Sequence, residues 1–169
     1  MRVRAVVVML AVAAVAALLV LPAFAATGGK ERPFKISGNR TGYFDTNNGH
    51  FDLVGPVIGS HIGKGSDRSF NLVSGAGDIY TAANGDKLNA TDGAQLPNTG
   101  LVCPDVPGFF NFGEFRHYVN FAGGTGRFAN ATGTVVSDNC LYFGAEIGPP
   151  GSGVYTFYVT FSEKGTLSY

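Results

Sequence analysis

Gly123-Gly124-Thr125-Gly126-Arg127-Phe128-Ala129-Asn130-Ala131-Thr132-Gly133 decides the fold, because it is a glycine-dense turn set between two strand-like segments. Phe115 to Phe121 precedes it and Thr134 to Phe143 follows, both rich in the aromatic and β-branched residues that suit a pleated, half-buried surface. Gly123, Gly124, Gly126 and Gly133 are therefore read as structural turn residues, giving the backbone positive φ and close approach where Cβ atoms would collide. Gly124 to Ala129 also matches the glycine pattern of a dinucleotide-binding loop. Such a loop must open a helix, whose N-terminus holds the pyrophosphate, and Thr134-Val135-Val136-Ser137-Asp138-Asn139 is a poor helix. No Gly-Lys-Ser/Thr follows, so the turn is not a Walker loop either.

Working outward, short strand-like runs alternate with glycine or asparagine turns from Phe34 onward, with no sustained 3.6-residue periodicity. The pattern is all-β. Strands are expected near Phe34 to Phe44, His50 to Val54, Val57 to Ile62, Arg68 to Val73 and Asp78 to Ala82. Five more follow near Lys87 to Ala94, Phe109 to Phe121, Thr134 to Phe143, Val154 to Phe161 and Gly165 to Ser168, some of which can merge. Asn84-Gly85 predicts a type I′ hairpin turn, and Leu96 to Gly108, with three prolines, is the longest loop. Many short antiparallel strands at near-regular spacing allow a sandwich or a closed barrel.

Residues 1–25 read as a signal peptide: Arg2 and Arg4 are a basic start, Ala5 to Leu21 is apolar, and Ala23-Phe24-Ala25 is a cleavage site ahead of Ala26. The protein is thus expected to be secreted or in the cell envelope, with no membrane association once the signal is removed. Residues 26–169 then form one β-barrel domain of 144 residues, able to bury roughly two-thirds of its unfolded surface. Twelve basic residues balance twelve acidic ones, so nucleic acid is not an expected partner. Export makes a disulfide between Cys103 and Cys140 the default for the two cysteines. In the chain-entropy model, closing that loop contributes about 4 kcal/mol.

The run Val119 to Val135, with its glycine-glycine-x-glycine-x-phenylalanine turn, resembles the corresponding hairpin of the allene oxide cyclase and dirigent superfamily. Val154-Tyr155-Thr156-Phe157-Tyr158-Val159 is similar to the cyclases' late aromatic strand, so the likeness covers about Ile79 to Ser168. The resemblance implies a single antiparallel eight-stranded barrel, calycin-like, that carries ligands in its lumen. It does not imply an activity: the turn is structural in that superfamily, and the cyclases' N-terminal polar motif has no counterpart between Phe34 and Lys64. Small exported bacterial proteins of unassigned function are also similar, including the closing Gly165-Thr166-Leu167-Ser168-Tyr169.

Few residues point to chemistry. His50, His61 and His117 share no ligand spacing, so no metal or other cofactor is expected. Asp45-Thr46-Asn47-Asn48-Gly49 resembles a calcium loop only faintly, since Pro56 stands where the bidentate Glu belongs, and reads as an Asx-rich turn. Ser60, Ser66 and Ser74 lack a nucleophile elbow, and the sequons at Asn39, Asn89 and Asn130 matter only in a glycosylating host.

Strand parity is the better clue. Alternation places Phe109, Asn111, Phe115, His117, Val119 and Phe121 on one face, with Glu114 and Arg116 as a surface pair on the other. Tyr155, Phe157, Val159 and Phe161 make a second apolar face. If these faces line a lumen, Asn111, Phe115, His117, Tyr155 and Phe157 form a small-molecule pocket of aromatic walls with a few orienting polar groups. The same residues could instead fill a dry core. The expected function is noncatalytic binding of a small apolar or aromatic ligand in the lumen, or of an envelope component. The alternatives are an isomerase or cyclase-type enzyme using the same lumen, and a structural or surface-interaction protein with a filled core.

Overall fold

The computed structural model describes residues 29–72 and 75–169, so the signal segment, the Ala25/Ala26 cleavage site and Ser74 lie outside the described residues. Eight antiparallel strands close into one barrel in chain order, the last pairing with the first. They are β1 (Arg32–Asp45), β2 (His50–Gly59), β3 (Gly63–Leu72), β4 (Gly75–Thr81), β5 (Lys87–Gln95), β6 (Phe110–Gly124), β7 (Thr132–Glu146) and β8 (Val154–Ser168). Closure leaves no unpaired sheet edge, which a sandwich would retain.

Ten expected strands become eight because two of the breaks were false. Gly55-Pro56 does not divide β2: Pro56 lies on the exposed face, so the ladder forfeits one donor while the strands on either side continue. Ser162-Glu163-Lys164 looks like a polar turn, yet β8 runs through it because Glu163 points inward and is 1% exposed. β3 likewise begins at Gly63, five residues ahead of Arg68. The Asn84-Gly85 turn is not type I′, since His61 is the only non-glycine residue with positive φ among the described residues. Gly85 alone takes positive φ there, at 87°, and Ala82 and Asp86 close the turn through a backbone hydrogen bond.

The decisive glycine turn caps one end of the barrel. Within it a single 3-10 turn, Gly126–Phe128, drives Phe128 inward until it is fully buried. Phe128 packs edge-on against Tyr169, and Arg127 donates to the carbonyl of His61 at 2.6 Å. The His61 ring stacks near Phe34 and reaches both the Tyr169 hydroxyl and the Pro33 carbonyl, so this end is shut. Phe34, Leu88, Phe121, Val135 and Leu167 fill the barrel beneath it. Gly126 has a φ of 57°, and a Cβ there would lie 1.8 Å from Asp86 Oδ1. Gly126→Val should therefore lower stability by at least about 1 kcal/mol, read as a lower melting temperature. An unchanged melting temperature would mean that the turn tolerates a side chain and does not set the end cap.

The long loop between β5 and β6 lies on the outer wall. The Cys103–Cys140 disulfide fixes it to β7, Tyr142 donates its hydroxyl to the Pro104 carbonyl, and the Asn111 amide donates to the Cys103 carbonyl. Glu114 is not paired with Arg116. Its carboxylate accepts hydrogen bonds from the backbone of Thr99, Gly100 and Leu101, which hold its pKa below the ordinary value, while Arg116 pairs with Asp138 at 2.7 Å.

Candidate functional site

Inward-facing residues change character along the barrel axis. Past the apolar plug comes a buried charged layer, and past that a cavity toward the turns 46–49 and 147–153. Its volume is about 320 Å³. Phe44, Phe51, Phe115 and Phe157 make aromatic walls, joined by Leu53, Leu141 and Val159. Arg40, Ser69, Asn71, Asp92, His117 and Asn139 supply the polar lining.

Of the residues singled out from the sequence, Phe115, His117 and Phe157 meet at this cavity. The Phe115 and His117 rings lie 5.0 Å apart. His117 is 8% exposed and sits in the wall, Nε2 3.4 Å from Asp92 Oδ1 and Nδ1 3.5 Å from the Asn139 amide. Asn111 is placed elsewhere. A bulge between Asn111 and Gly113 breaks the alternation, so Asn111 pairs with Tyr142 on the outer face and holds the disulfide loop. Tyr155 is also absent from the lining; it pairs with Glu146 near the strand end, its ring 6.0 Å from that of Phe143.

The charged layer beneath the cavity escaped sequence reasoning. Arg40, on the same β1 face as Phe34 and Ile36, is 4% exposed. Its Nε donates to Asp67, and its Nη2 lies 3.2 Å from Asp78 and 3.6 Å from Glu163. The guanidinium carbon lies 3.9 Å from the centre of the Phe161 ring. Tyr80 donates its hydroxyl to Glu163 at 2.8 Å, and Ser137 donates to the same carboxylate at 3.2 Å. Ser137 and Asn139 join this layer to His117 and the cavity wall.

Three carboxylates around one guanidinium cannot all be charged cheaply in a dry interior. Burial pushes Glu163 up to about 8 and Asp67 up to about 7, with Arg40 opposing both, and raises Asp78 as well. Burial alone would lower the Arg40 pKa, but Asp78, Asp67, Tyr80 and Glu163 more than reverse this, so Arg40 remains charged. The layer therefore holds protons at neutral pH and can give or take them. Comparison with known proteins found no protein family, no curated protein and no solved structure that matches this chain.

Proposed function

We propose that this chain is an exported, noncatalytic barrel of the allene oxide cyclase and dirigent type that binds a small, largely apolar ligand in its lumen. The observation that carries the reading is the cavity of about 320 Å³, walled by four phenylalanines with His117, Asn139, Asp92 and Arg40 among its lining. Apolar walls with a few convergent polar groups are what a small-molecule site requires: the walls supply affinity and the polar groups orientation. The signal-like segment and the disulfide support the exported setting.

A catalytic reading has its own support in the proton-holding layer. Glu163 and Asp67 with pKa values raised toward neutrality are suited to general acid-base exchange, as an isomerase or cyclase needs. Noncatalytic binding ranks first because neither carboxylate lines the cavity, so neither meets a bound molecule directly.

2-Naphthol, a fluorescent aromatic with one hydroxyl, is a suitable probe. It should bind the mature protein, and His117→Phe should keep the fold while weakening binding by about 1 to 3 kcal/mol through the lost hydrogen bond. Leu53→Trp, which fills the cavity, should abolish binding with the far-ultraviolet circular dichroism unchanged. Binding that survives Leu53→Trp, or no binding to the native protein, leaves a packed structural barrel as the better account.

A further inference from the structure

The charges facing the lumen are unevenly divided. Asp67 on β3, Asp78 on β4, Asp92 on β5 and Glu163 on β8 are acidic, against Arg40 on β1 and His117 on β6. Strands β2 and β7 add no charged side chain to the layer or the cavity lining. Arg40 is already surrounded, with Asp67, Asp78 and Glu163 all within 3.6 Å. An anion entering the cavity would have to compete with these three acids for the guanidinium.

Asp67 Oδ1, Asp78 Oδ1 and Arg40 Nη2 are buried without a well-formed hydrogen bond, Nη2 lying 3.2 Å from Asp78 Oδ1. Asp92 differs from the deep acids. Its side chain is 38% exposed, it lines the cavity, and among the described residues His117 Nε2, at 3.4 Å, is the basic group beside it. Asp92 shares the inward strand face of Leu88 and Ala90, and the β5–β6 ladder loses register just beyond it, passing from Asp92–Val119 to Gln95–His117. Phe44, Phe51, Phe115 and Phe157 line the same cavity, and aromatic rings of this kind attract positive charge.

We infer that the lumen selects a small organic cation, an amine or ammonium group on an aromatic or aliphatic body, with Asp92 as its counter-ion and the phenylalanines as its walls. The inference rests on the lumenal-binding reading and adds the charge of the ligand to it. Asp92 is its specificity-determining residue: the body of the ligand packs on the rings, and the ammonium hydrogens meet the carboxylate left with room to accept them.

The test uses three probes of similar shape, 2-phenylethylammonium, 2-phenylethanol and 3-phenylpropionate, titrated into the mature protein at pH 7 and followed by calorimetry and by NMR of the phenylalanine rings. The ammonium should bind about tenfold or more tightly than the alcohol, and the carboxylate more weakly than either. Asp92→Asn should cost the ammonium about tenfold and leave the alcohol within about twofold, with an unchanged melting curve to show that the fold is intact. Equal binding of ammonium and alcohol, tighter binding of phenylpropionate, or an Asp92→Asn variant that still prefers the ammonium would overturn the cation inference while keeping the lumen as a binding site. If none of the three perturbs the ring signals, the lumenal reading itself fails and takes the inference with it.

Discussion

Arg40→Met should destabilise the protein by about 4 kcal/mol at pH 8, a fall of about 10 °C in melting temperature. Methionine keeps much of the buried bulk, so the loss is electrostatic. Without the guanidinium, Asp67, Asp78 and Glu163 face one another in the barrel interior, at 2%, 2% and 1% exposure, with no cation among them. The remedy open to the protein is to take up protons, so the deficit should shrink markedly at pH 5. In a Glu163→Gln background the same substitution should cost less, because one of the three stranded charges is already gone. Denaturant melts of the two single variants and the double variant at both pH values measure this directly. A loss under about 1 kcal/mol at pH 8, or a loss independent of pH, would show that the guanidinium does not hold the layer together.

The pH profile of the native protein should be comparably pronounced, and opposite to ordinary acid denaturation. Asp67 and Glu163 have folded pKa values of about 7 and about 8, above their unfolded values, because burial disfavours their charged forms. The native state thus keeps protons that the unfolded chain has released. Their contribution is fully present below the unfolded carboxylate range and is lost as pH rises through 7 and 8. Stability should fall by on the order of 4 kcal/mol between pH 5 and pH 8. At the other limit, Glu114 and Glu146 are held below their ordinary values by backbone hydrogen bonds, so their contribution is lost as pH falls. The optimum therefore lies near about pH 5. Glu163→Gln should remove roughly half of the alkaline slope, since the amide has no proton to hold back. A native protein equally stable at pH 5 and pH 8 would rule out the proton-holding layer.

The turn at Gly123 to Gly133 and the alternation around it made the all-β fold legible, because both depend on local backbone chemistry. Parity also brought out Phe115, His117 and Phe157, which face one cavity. It failed at Asn111 because the bulge ahead of Gly113 shifts the count by one residue. The charged layer was missed for a related reason. Asp67 and Glu163 fall between the expected strands, in stretches that read as polar turns, and Arg40, though mid-strand, is a lone charge of the kind normally solvated. One signal was present. Extending the Tyr155, Phe157, Val159, Phe161 face by two residues reaches Glu163, and extending Phe34, Ile36 by four reaches Arg40. That these charges meet one another is a long-range property of barrel closure, which periodicity along one strand does not encode.

The seam between β1 and β8 also governs the order of assembly. Its pairing runs from Arg32–Leu167 to Asp45–Val154, so every rung joins residues more than one hundred positions apart. Such contacts recover their loop-closure entropy only when the chain ends meet, and folds that depend on them form slowly. A chain emerging from its N-terminus must leave one side of β1 unpaired until β8 has arrived. The same late strand carries Glu163 to Arg40 and Leu167 to the apolar plug, so closing the cylinder, neutralising its interior and sealing its end are one kinetic event.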